Sequence, residues 1–189
     1  MSPKTTQQFN EIRNQRKILL MNAALKLFSE KGFTSTSISD IAKKAGVSKG
    51  LLYNYFESKD ELVREIIIDG IKKITADFDF SIKLTKDRFI ELIDKNFLLI
   101  IEGKDYWKLY ISVITQPLIV EMMKGELYEY LSPFFLAVTQ YYQEKNEKNP
   151  IAYTWLIGAI LDGIGVDYMI DPENYPINEI KEIIISKLL

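Results

Sequence analysis

The chain of 189 residues carries 24 Lys and Arg against 26 Asp and Glu and is 47% hydrophobic, which suits a folded protein with a sizeable core and excludes a disordered chain. It has no cysteine and no histidine, so a disulfide framework, thiolate chemistry and the commonest general base and metal ligand are all excluded. The net charge of −2 divides into +5 over residues 1–64 and −7 over the rest, the pattern of a phosphate-binding head on an acidic body, with chance clustering of solvated charges as the plain alternative.

Residues 1–9 are polar, without the apolar core of a signal segment, and read as a loose arm. Lys4 there is a candidate for a DNA backbone or minor groove, against the plainer reading of a disordered leader. A first helix is expected from Asn10 to Lys31, where Ile18, Met21, Leu25 and Phe28 recur on one face. Gly32 stops it, and Phe33 is placed to fold back on its last turn. Then comes SISDIAKKAGVSKGLLYNYF, Ser37 to Phe56. Ser37 and Asp40 form a capping box. Ile41, Ala42 and Ala45 give a short apolar stripe, Gly46 ends the helix, and Ser48 caps a second helix from Lys49 to Phe56. Two short helices about a glycine turn make a helix-turn-helix, whose second helix enters the DNA major groove.

Another box, Ser58 to Glu61, opens a long helix expected to reach Phe80, softened at Gly70. Thr85 caps a helix from Asp87 to Glu102, stopped by Gly103. Lys104 to Thr115 is a short aromatic helix ended by Gln116 and Pro117. Leu118 to Lys145 carries Gly125 and Pro133, where a kink or break is expected. Asn149 and Pro150 start a helix to Ile170, and Ile177 to Leu189 is the last. No stretch approaches a membrane span, and a cytoplasmic protein is expected. The predicted fold is all-α.

The residues RKILLMNAALKLFSEKGF followed by TSISDIAKKAGVSKGLLYNYFESKDEL, Arg16 to Leu62, resemble the TetR family of bacterial transcriptional regulators. A weaker echo, LDGIGVDYM from Leu161 to Met169, is similar to the late dimerisation helix of that family. The resemblance implies a DNA-binding head over residues 1–60, joined by a long helix to a helical ligand-binding and dimerisation domain over 61–189. It implies an all-helical homodimer that represses, or in some members activates, transcription and is switched by a small molecule. No cofactor and no enzymatic activity are implied.

Candidate DNA-binding residues follow. Ser48 offers its hydroxyl and the first amides of the recognition helix to a phosphate or base edge. Lys49 offers a charge to phosphate or guanine. Gly50 lets the backbone approach, and Leu52 meets either a thymine methyl or the core. In the family pattern Tyr53 and Tyr55 put hydroxyls near the backbone, with Asn54 between them. Thr36, Ser37 and Lys59 are phosphate contacts by the same resemblance, with capping and a solvated lysine as the plain alternatives. In the body, Trp107, Tyr110 and Tyr141 are pocket candidates for an aromatic or lipophilic effector, each against ordinary core packing. Ile157, Gly158, Leu161, Gly165, Ile180 and Ile184 are dimer-interface candidates, since small residues let helices approach and the isoleucines surround them with apolar surface. The expected partners are a pseudo-palindromic duplex operator, the effector and a second copy of the chain. Two rivals are a sensor whose head binds a protein, and an enzyme built on carboxylates such as Asp94 and Glu121, for which no spacing speaks.

Overall fold

The computed structural model describes residues 6–75, 78–114 and 116–189. Residues 1–5 of the predicted arm, Lys4 among them, and the predicted helix end at Thr115 fall outside the described residues, while residues 6–9, expected in that arm, are helical and start the first helix ahead of Asn10. Among those described, all regular structure is helical: α1 (Thr6–Lys31), α2 (Ile38–Lys44), α3 (Lys49–Tyr53), α4 (Lys59–Thr75), α5 (Lys86–Glu102), α6 (Lys104–Ile114), α7 (Pro117–Glu144), α8 (Pro150–Ile170) and α9 (Ile177–Lys187). None of these helices is long and apolar enough to cross a membrane. The chain divides into two compact units: residues up to Ile67 together with Lys108–Met122, and Ile68–Trp107 together with Met123–Leu189.

In the first unit α1 buries Leu20, Met21, Ala24, Leu27 and Phe28. Ile18, expected on that face, is exposed, because at 100° per residue it falls outside the stripe that the other five define. Gly32 ends α1 at φ +82°, a conformation without steric cost only for glycine. Phe33 then folds back, its ring centroid 5.4 Å from that of Phe28. α2 packs against both α1 and α3. It is capped by Ser37, whose hydroxyl accepts from the Asp40 amide while the Asp40 carboxylate accepts from the Ser37 amide. At its far end Gly46 sits at φ +69°. The Gly46 amide donates to the Lys43 carbonyl and the Val47 amide to the Ala42 carbonyl, the paired bonds of a Schellman turn. α3 is shorter than predicted, closing at Asn54, while Phe56 turns into the core.

In the second unit the expected extension of α4 to Phe80 is not made. α4 ends at Thr75, and Asp79 instead organises a turn, its carboxylate accepting from the Ser81 amide at 2.9 Å and hydroxyl at 2.7 Å. α7 is continuous through Gly125 and Pro133, so the break allowed for there is not made. Pro133 removes the amide that would bond the Glu129 carbonyl, and the Ser132 hydroxyl donates to that carbonyl instead at 3.3 Å. α5 packs against α8 and α9. Phe89 of α5 meets Tyr141 edge-on at 5.1 Å, and Tyr142 stacks on Tyr153 at 4.7 Å. The Tyr141 and Tyr142 hydroxyls donate to the carbonyls of Leu189 and Leu188 at 2.7 and 2.9 Å.

Candidate nucleic-acid interface

The helix-turn-helix is held from inside and open outside. Ile41, Ala42 and Leu52 are fully or nearly fully buried. Around them Ser37, Ser48, Lys49, Gly50, Tyr53 and Asn54 are exposed and Tyr55 is half-buried. Ser48 accepts the Leu51 amide at 3.1 Å, so its hydroxyl caps α3 and keeps its proton for an outside acceptor. A β-carbon built on Gly50 meets nothing within 4 Å, which leaves an open approach to the backbone. The Lys49 ammonium lies 5.9 Å from the centre of the Tyr53 ring. Hydrogen bonds from the Ser37 hydroxyl and amide hold the Asp40 carboxyl below the usual carboxylate range.

Three predicted contacts are corrected by the geometry. Leu52 has no exposed surface, so of its two readings the core is the one realised. Thr36 is 1% exposed, and its hydroxyl donates to the carbonyls of Gly32 at 2.8 Å and Leu27 at 3.3 Å, closing the end of α1 rather than facing a phosphate. Lys59 donates to the carbonyls of Phe33 at 2.9 Å, Thr36 at 3.0 Å and Thr34 at 3.5 Å. Its ammonium also sits 4.4 Å from the Phe33 ring centre. An ammonium has three protons, and all three are engaged within the fold.

A residue that the sequence reading passed over stands beside this surface. The Arg13 guanidinium lies 5.7 Å from the centre of the Tyr55 ring. One turn on, Lys17 lies 5.8 Å from the Phe56 ring and 2.9 Å from the Glu65 carboxylate. The signal was present as two cations four apart on one helix face, but their partners are some forty positions away and leave no local trace.

The body candidates separate. Trp107 is buried, and a β-carbon on Gly165 of α8 would come within 2.8 Å of its indole. Gly165 is therefore a seat for Trp107, and both leave their predicted roles as interface and pocket residues. Ile157, Leu161 and Ile184 are likewise buried within the protomer, while Gly158 and Ile180 are half-exposed. α8 is apolar all round, so sequence periodicity could not say which stripe turns inward. The stripe left outside holds Ile151, Trp155, Leu156 and Ile170, with Trp155 65% and Ile170 77% exposed. Tyr110 is half-buried in the first unit. Tyr141 lines an open groove of about 580 Å³ with Ser81, Lys83, Leu84, Ala137, Gln140, Gln143 and Glu144. That lining is mixed, with Tyr141 its one aromatic residue, not the aromatic pocket anticipated. A different polar atom is orphaned inside: the Asn96 Oδ1 on α5 is buried without a hydrogen-bond partner among the described residues.

Residues 20–66 match the family model described as bacterial regulatory proteins, tetR family. The HTH-type transcriptional regulator AcrR of Shigella flexneri is 42% identical over 66 residues, 35% of this chain and 29% of AcrR. The uncharacterized HTH-type transcriptional regulator YvdT of Bacillus subtilis is 39% identical over 94 residues, 46% of each chain. The matched stretches thus span less than half the length of these relatives. Among solved structures, the transcriptional regulator FadR from Bacillus subtilis, in complex with stearoyl-CoA, superposes with a TM-score of 0.76 at 20% identity, covering 90% of this chain and 96% of that one. The all-helical fold is therefore that of a known regulator.

Proposed function

We propose that this chain, whose residues 20–66 match the tetR family of bacterial regulatory proteins, is a ligand-responsive, DNA-binding transcriptional regulator, a repressor released from its operator by a small molecule. Residues 1–60 are the DNA-binding head and 61–189 the ligand-binding and dimerisation part. The observation that carries the reading is α3, a serine-capped helix with Leu52 buried beneath it and Lys49, Gly50, Tyr53 and Asn54 all turned to solvent. An exposed, amide-rich helix start with an adjacent cation is what a major groove and its phosphates accept. The protein acts in the cytoplasm, where the DNA is.

The working species is a homodimer on a pseudo-palindromic operator, its recognition helices about 34–36 Å apart. The outward stripe of α8, with Ile183 of α9 also exposed, supplies an apolar surface of the kind that a two-fold interface covers. The effector is aromatic or lipophilic, as an acyl chain would be. Effector binding shifts the dimer towards a conformer with a different head spacing. A change from 1:99 to 99:1 needs ~5.5 kcal/mol of differential affinity, shared between two sites.

The test is an electrophoretic mobility shift on genomic fragments selected with the full chain. Wild-type protein retards a selected fragment, and Lys49→Gln weakens that retardation while keeping the same melting temperature. Absence of any specific retardation overturns the reading.

A further inference from the structure

Only some of the cations in the first unit are available to an outside anion. Lys59 is engaged by three carbonyls, Lys17 by Glu65, and Lys26 and Lys44 by Glu30. Arg64 is held by Glu65. Arg13, Arg16, Lys31, Lys43 and Lys49 form no ion pair among the described residues. Two of these five stand against α3 and the turn that follows it, and each rests on a tyrosine. Lys49 lies on Tyr53 and Arg13 on Tyr55.

We propose that Arg13, reaching from α1 to the ring of Tyr55, is a DNA-backbone contact beside the turn that follows the recognition helix. This rests on the DNA-binding reading of α3 and adds to it a contact from outside the matched residues 20–66. The argument is geometric and electrostatic. A planar guanidinium is weakly hydrated and presents five donors in a rigid fork. Resting on an aromatic ring restricts its motion while its edge stays free for oxygen acceptors. Arg13 is exposed and unopposed by any carboxylate among the described residues, whereas Lys17 one turn on is neutralised. The result is a cation fixed at the edge of the base-reading surface, where a duplex bound to α3 brings its phosphates. Lys59, the residue expected in that role, has no proton left for it.

A phosphate contact leaves a specific signature, since each one adds about 0.9 to the slope of log affinity against log salt. The experiment titrates the full-length protein with a random-sequence duplex of about 30 base pairs and with a selected genomic fragment, each across a salt series. Arg13→Gln is expected to weaken both duplexes by a similar factor, roughly five- to tenfold at low salt, and to lower the slope by about one. Arg13→Lys is expected to restore the slope. An Arg13→Gln slope equal to the wild-type slope overturns the inference while leaving the reading of α3 intact. A wild-type protein that shows no salt-dependent duplex binding overturns both.

Discussion

The ammonium of Lys59, at the start of α4, lies 3.0 Å from the carbonyl oxygen of Thr36, the last residue before the cap of α2. With its bonds to Phe33 and Thr34, it ties the first turn of α4 to the connector between α1 and α2. Lys59→Met keeps most of the apolar stem and removes all three bonds. We expect it to lower stability by roughly 1–2 kcal/mol and to weaken duplex binding without changing the salt slope. Chemical denaturation and the salt series together check this. A lowered slope would instead make Lys59 a phosphate contact.

Gly165 and Trp107 set a second test. Because a β-carbon on Gly165 meets a buried indole, Gly165→Ala overpacks the second unit. The expected loss is about 1–3 kcal/mol, read as a shift of the urea midpoint at unchanged slope. Gly158→Ala is the control: its β-carbon meets nothing within 4 Å, so it is expected to hold the midpoint or raise it, by up to about 1 kcal/mol of helix propensity.

The outward stripe of α8 predicts the assembly. Trp155→Glu puts a charge at the centre of that stripe and is expected to weaken self-association roughly 30-fold or more. Sedimentation velocity over a concentration series measures it. Ile157→Val, on the inward stripe, is expected to lower stability by about 1 kcal/mol and to leave association unchanged.

The cap of α2 carries a pH dependence. The Asp40 carboxyl is held low by the Ser37 hydroxyl and amide, so the folded head binds its proton less readily than the unfolded chain does. Its contribution to stability is therefore complete above the ordinary carboxylate value and is lost as the pH falls through the lowered one. Asp40→Asn is expected to remove that acid-side dependence. Thermal melts from pH 6 to about pH 3 test it.

Much of the head was legible because its determinants are local. Ser37 with Asp40, Gly46 with Val47, and Ser48 with Leu51 are all settled within a few residues of chain. What stayed hidden depends on distant partners. Nothing near Lys59 announces three carbonyls more than twenty positions away. Leu52 reads equally as core or contact until α1 and α2 are laid against it. In α8 the apolar residues run round the whole helix, so the stripe assigned to a partner turned out to be the protomer's own core. Pro133 misled for a smaller reason, since the neighbouring Ser132 hydroxyl supplies the donor that proline lacks.

The most direct measurement is the ratio of affinities of the full-length protein for a selected genomic fragment and for a scrambled fragment of the same composition, at physiological salt. A helix-turn-helix that reads bases through Lys49 and Asn54 predicts a ratio of about a thousand or more, falling sharply in Asn54→Ala. Equal affinity for the two fragments would contradict the assignment of α3 as a recognition helix.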